Sequence, residues 1–277
     1  MNKTIILTLI LLLNCLLVYS GNYNQNYSTN VKVRKSDHKR AREVEIDRLP
    51  HISQRKSNCV PASCAMILRY FDERTNQKDL AKLFKTTNRG TSYSNMISAF
   101  YDPELQDFKI TELYTLTGSE AAQIRQAYEK AINNLSKKEK KAIKKTKRKK
   151  RGLDTQNLFT DMQPVIARKV LAECRVGLRQ KMQYCVQQYI NAGVPILWSV
   201  TMHLAPDSDS SNNHMRIING YVIKNQQITH ILYRDSWRGH SNGRIMPFDT
   251  ALAMTWSLFV ILPKQLDIKK MPRIKLQ

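Results

Sequence analysis

The stretch QRKSNCVPASCAMILRYF, residues 54–71, decides how the rest of the chain is read. From Val60 to Phe71 apolar residues come almost without interruption. Pro61 falls in the first turn, where its missing N–H would have had no intrahelical partner, so the pattern predicts a buried helix starting beside Cys59. A thiol at that start meets the positive end of the helix dipole and backbone N–H groups without partners, both of which stabilise a thiolate. Cys64 is carried about 500° further around the helix. It faces the side of Ala65, Met66 and Leu68 and is expected in the core.

Outward from this helix, the chain first stays helical. Short helices are expected over 77–84 and from Tyr93 to Phe100, and a helical pattern runs from Ser119 to Arg151. Met162, Ile166, Val170, Cys174, Leu178, Met182, Val186 and Ile190 recur at every fourth position, which predicts one long helix ending near Gly193. After Pro195 the pattern becomes strand-like over Ile196–Met202, Met215–Ile223 and Ile228–Tyr233. A short helix to Met254 and a last strand over Trp256–Leu262 follow. A helical half followed by a β-rich half is an α+β chain.

The amino end carries Lys3, an apolar run from Ile5 to Val18, and small residues before Gly21. It has the pattern of a secretory signal over 1–20, and the run is short of the ~20 apolar residues of a membrane-spanning helix. The expectation is an exported protein, periplasmic or extracellular, with no transmembrane segment after signal cleavage. Residues 21–49 are polar and then mixed in charge, and are expected to form a flexible leader. After removal of the signal, four of the five cysteines are left: Cys59, Cys64, Cys174 and Cys185. On one continuous helix the α-carbons of Cys174 and Cys185 would stand roughly 16 Å apart, beyond the reach of a disulfide. At least one thiol is therefore expected free. No C-x-x-C or H-x-x-x-H pair supports a metal site.

The formal net charge is +23, and a single run supplies much of it: between Lys137 and Arg151 stand eleven Lys or Arg against one Glu139. Such a block is either a solvated surface segment or a contact for a polyanion. It contains no aromatic side chain, which argues against a stacking platform for single-stranded nucleic acid.

A nucleophilic thiol needs a base and a group to orient that base, and the β-rich half offers both. His214 lies at the entry of the strand HMRIINGYV, after a polar loop. Asp235 ends the strand ITHILYRD one hairpin later, so the two can meet at one end of a sheet. His203, His230 and His240 are alternative bases.

Three separated motifs in this order, QRKSNCVPAS, HMRIINGYV and the turn DSWRG, resemble the papain-like cysteine peptidases, most closely exported bacterial proteins with a C39-like peptidase domain. The resemblance covers about 50–105 and 160–262 and implies a papain-like α+β fold over 50–262; the leader, a largely helical basic insert over 106–160 and a basic tail over 263–277 lie outside it. It also implies Cys59 as nucleophile, His214 as base and acid, Asp235 as the group orienting the imidazole, and Gln54 as an oxyanion donor beside the Cys59 amide. Trp237 would cover the His and Asp pair. No metal or organic cofactor is implied, and the substrate would be a peptide or protein. Val60 stands where many relatives have glycine. Members that process bacteriocin leaders act in the cytoplasm, fused to a transporter, so their substrate class is not carried over. The competing reading is a non-catalytic protein on a peptidase scaffold that binds a polyanion or envelope polymer through Lys137–Arg151.

Overall fold

The computed structural model describes residues 31–35, 41–137, 139–140, 158–206, 210, 212–237, 239 and 243–266. An antiparallel sheet of eight strands forms its centre, in the order β1-β2-β5-β4-β8-β3, with β6 on the other edge of β5 and β7 beyond it. The strands are β1 (Val31–Lys35), β2 (Ala41–Ile46), β3 (Phe108–Thr115), β4 (Ile196–Thr201), β5 (Asn213–Lys224), β6 (Gln227–Asp235), β7 (Arg244–Pro247) and β8 (Thr255–Pro263). The helices are α1 (Cys59–Tyr70), α2 (Gln77–Leu83), α3 (Tyr93–Ala99), α4 (Gly118–Asn133), α5 (Pro164–Cys174), α6 (Val176–Asn191) and α7 (Phe248–Met254). The α+β class read from the sequence is the class observed, with Cys59 on a helix that packs against an antiparallel sheet.

Strand β5 organises the molecule. Along one edge it pairs with β4 over residues 213–218 and with β2 over residues 220–224, and along the other it pairs with β6. The change of partner falls at Gly220, next to a register shift. A Cβ there would stand 2.5 Å from the Val44 carbonyl oxygen, so a side chain at that position and the observed approach of β2 exclude each other. Helix α1 lies against β5 and is buried along nearly its whole length, which accounts for its unbroken apolar run. Two hydrogen bonds fix its position: Ser63 Oγ donates to the Met215 carbonyl at 3.2 Å, and the Tyr70 hydroxyl donates to the Gly193 carbonyl at 2.9 Å. Cys64 is in the core, as its place on the helix predicts.

Three expectations are corrected. The span 21–49, expected as a flexible leader, contains β1 and β2. Val44 and Ile46 of β2 are buried on the sheet face, an apolar alternation obscured in the sequence by the charged residues between them. The span 106–160, expected to be largely helical, opens with β3, whose backbone hydrogen-bonds to the final strand β8, so long-range pairing prevails over local pattern. α4 is helical as expected, and most of the basic run Lys137–Arg151 lies outside the described residues, as does the tail beyond 266. The long helix expected over 162–190 is two helices that meet at Arg175.

The reason for that break is the Arg175 side chain, which is buried. Its Nε donates to Glu120 Oε1 at 2.9 Å, one terminal nitrogen donates to the carbonyls of Leu252 and Thr255 at 3.0 and 2.8 Å, and the other meets the Tyr114 hydroxyl at 2.5 Å. One guanidinium thereby ties β3 and α4 to α7 and β8. A straight helix would trade this satisfied buried charge for a continuous backbone ladder. Cys174 and Cys185 therefore lie on different helices, Cys174 exposed and Cys185 buried, and all four cysteines among the described residues are free thiols. Among the described residues no helix is long and apolar enough to cross a membrane.

Candidate active site

Cys59 is the first residue of α1, and the preceding Asn58 makes no side-chain cap. The helix start thus has no side-chain cap, and the backbone N–H of Val60 is one of the groups that act on the sulfur. The chain reaches this point through Ser57, whose backbone is left-handed (φ 62°) and whose hydroxyl donates to the Asn88 carbonyl at 2.8 Å. Gln77, at the start of α2, pins the approach from the other side. Its amide oxygen accepts from the Arg55 N–H at 2.9 Å, and its amide nitrogen donates to the Ser53 carbonyl at 2.8 Å.

Opposite the thiol, β5 begins at Asn213 and presents His214. The imidazole lies near enough to the Cys59 thiol for each group to act on the other's charge, and its Nε2 stands 2.8 Å from Asp235 Oδ1. Asp235 ends β6, directly across the ladder from Arg216. Its carboxylate is fully buried, and among the described residues its donors are His214 and the Trp237 N–H, at 3.0 Å, on Oδ1, and Arg216 Nε, at 2.8 Å, on Oδ2. The Trp237 ring stacks on His214 with centroids 4.6 Å apart. Tryptophan therefore covers the His and Asp pair, as the resemblance implied.

Gln54 is held on the same turn. Its N–H donates to the Ser236 carbonyl at 2.7 Å and its side-chain Oε1 accepts from the Ser236 hydroxyl at 2.7 Å, which leaves the amide NH2 as the end with protons to offer. His51 adds a third tie, its Nε2 donating to the Asp235 carbonyl at 3.1 Å. The segment ahead of α1 and the turn after β6, far apart in sequence, are thus clasped together. On the other flank Tyr93 of α3 hydrogen-bonds Ser199 of β4 across the helical and β halves, close enough to Cys59 to feel its charge.

These surroundings act on the charges. Burial pushes the Cys59 thiol up, but the His214 hydrogen bond and charge and the N–H groups of Met215 and Val60 outweigh it, and the net shift is downward. For His214, burial works against the cation; hydrogen bonds and charges from Asp235 and Cys59 prevail and raise it. Burial also opposes the Asp235 anion, yet His214, Arg216 and the Trp237 N–H hold that carboxyl well below the usual carboxylate range. The two shifts run toward each other, the direction that favours a thiolate beside an imidazolium. Cys64, by contrast, is pushed up by burial and is an inert core thiol.

The four residues singled out in the sequence come together around this pair. Of the alternative bases, His203 bonds the Met162 carbonyl at 2.7 Å and His230 meets the Thr229 hydroxyl at 3.1 Å, while His240 lies outside the described residues. Sequence reasoning missed Arg216, Ser236 and His51. Arg216 carried a readable signal, since a cation two positions after His214 in a strand shares its face. For Ser236 and His51 no local pattern distinguishes them.

A thiol at a helix start, an imidazole at a strand entry and a carboxylate across one hairpin supply the nucleophile, the base and the orienting group that thiol-based acyl transfer requires. Residues 46–143 match the family model described as the Peptidase_C39 like family, so the resemblance to C39-like peptidases holds over the span that carries Gln54 and Cys59. No curated protein matches the chain. Among solved structures, the peptidase domain of Streptococcus ComA, described as a bi-functional ABC transporter involved in a quorum sensing pathway, is similar at 10% identity. That alignment covers 78% of this chain and 99% of the other, with a TM-score of 0.41. A C39-like peptidase from Bacillus anthracis is similar at 12% identity over 79% of this chain and 97% of its own, with a TM-score of 0.45.

Proposed function

We propose that the protein is an exported cysteine peptidase that hydrolyses peptide or isopeptide bonds, with Cys59 as nucleophile. The observation that carries this reading is the placing of His214 between Cys59, whose charge it acts on, and the buried Asp235, whose Oδ1 stands 2.8 Å from the imidazole Nε2. The thiolate attacks a carbonyl carbon, forming a C–S bond as the C=O π electrons move onto oxygen. The Gln54 amide and the Cys59 N–H hold that oxyanion. On collapse the C–N bond breaks and His214 delivers its proton to the leaving amine. Water then gives a proton to His214 and its oxygen to the acyl carbon, and the thiolate leaves. Asp235 keeps the imidazole in one tautomer and orientation throughout.

The test is hydrolysis of a peptide library by the secreted protein, compared with Cys59→Ala and Gln54→Ala. The reading expects no cleavage by Cys59→Ala and, for Gln54→Ala, kcat lower by about 10²-fold with KM little changed. Cleavage by Cys59→Ala at the wild-type rate would remove it.

A further inference from the structure

Asp235 is bonded by two side chains from the same face of β5, and only one of them, His214, enters the proposed reaction. The other is Arg216. It is fully buried, stands across the ladder from Asp235, gives Nε to Oδ2 at 2.8 Å, and lies with its guanidinium 4.7 Å over the Tyr233 ring. We infer that Arg216 is a positioning residue of the site: it fixes the Asp235 carboxylate on His214 and sets the pH range over which Cys59 reacts. The inference rests on the proposed Cys59 nucleophile.

Geometry comes first. Two of the described donors to Asp235, His214 and the Trp237 N–H, share Oδ1, and Arg216 from the neighbouring strand holds Oδ2, which opposes rotation of the carboxylate about its terminal bond. Charge follows from the same contacts. Among the described groups, thiolate, imidazolium, carboxylate and guanidinium sum to zero, with Asp235 and Arg216 fully buried. Without Arg216 the set is net negative, and every loss of a proton from it becomes harder. Among the described residues, the other titratable groups against the set are Tyr93 from α3, which feels the Cys59 charge, His51 from the segment before α1, Tyr233 from β6 and Cys64 from α1. They are common to every variant compared below.

The experiment follows the second-order rate of Cys59 alkylation by iodoacetamide from acid to alkaline pH, in the full chain and in Arg216→Gln, Arg216→Met and Arg216→Lys. The thiolate attacks the methylene carbon, the S–C bond forms and iodide leaves, so no oxyanion donor is involved. Wild-type protein is expected to show an acid limb, a plateau and an alkaline change where the imidazolium loses its proton. In Arg216→Gln and Arg216→Met both limbs should move up by about one pH unit, so that alkylation below the acid limb slows about tenfold. Arg216→Lys, which keeps the charge, should hold both limbs near the wild-type positions.

Limbs that stay in place in a folded neutral variant overturn the inference, as does an Arg216→Lys shift equal to that of the neutral variants. Failure of both neutral variants to fold assigns Arg216 to the fold alone and overturns it too. If wild-type protein shows no plateau and reacts as an ordinary thiol titrating near pH ~8.5, the proposed function falls, and the role of Arg216 with it. A plateau in the wild type with unmoved variants removes only the role of Arg216.

Discussion

Replacing Asp235 by asparagine probes the buried network at its centre. The carboxylate has two acceptor oxygens, and both are used: Oδ1 by His214 and Trp237, Oδ2 by Arg216. Asparagine has one oxygen and an NH2 group. If the oxygen faces His214, the NH2 points at the Arg216 donor; if it faces Arg216, the NH2 points at the imidazole. Either way a fully buried guanidinium or imidazole loses its charge-assisted bond. Removing one partner of a buried ion pair costs about 3–5 kcal/mol, since the remaining charge stays desolvated. With a urea slope of about 2 kcal/mol/M, the unfolding midpoint should fall by about 2 M at neutral pH. Adding Arg216→Met should recover more than ~1 kcal/mol of the loss, because the stranded cation is then gone. A loss below ~1 kcal/mol, or strict additivity of the two substitutions, refutes the account of a coupled buried network.

Acid stability follows from the same carboxyl. Its folded pKa is depressed, so its contribution is present above the unfolded value near ~3.9 and fades as pH falls through the folded value. Stability measured by urea at pH 5 and at pH 3 should drop more steeply in wild-type protein than in Asp235→Asn; equal slopes would contradict this. Gly220→Ala should lose about 1–3 kcal/mol, because the added Cβ meets the Val44 carbonyl, with protease cleavage at β1 and β2 appearing before global unfolding. Polyanion binding through the Lys137–Arg151 run, if it operates, should weaken steeply with salt and vanish on deletion of residues 137–151, leaving the Cys59 alkylation rate unchanged. Heparin retention measured across a salt gradient reads both.

The parts of the fold visible in the sequence were those with local causes. The apolar run after Cys59, the Pro61 start and the strand alternation around His214 each depend on neighbours a few positions away, and each element is found where its pattern lies. The parts that were hidden depend on distant partners. β3 exists because β8 offers it a ladder, and β2 because β5 narrows to Gly220. The break at Arg175 exists because a cation finds Glu120, Tyr114 and two carbonyls on elements that the sequence does not place together. The site divides likewise. Cys59, His214 and Asp235 were readable as a helix start, a strand entry and a strand end. Arg216 looked like a stray charge in an apolar strand, and the Ser236 clasp on Gln54 required knowing that the two ends of the site touch.

The most direct measurement of the central pairing is the alkylation rate of Cys59 at pH 6, with the modified residue identified by peptide mapping, in wild-type protein and in His214→Ala. The account predicts selective modification of Cys59 in the wild type, slowed by about 10²-fold in His214→Ala as the thiol loses the cation that holds it ionised. Equal rates in the two proteins, or faster labelling of the exposed Cys174 than of Cys59, would contradict it.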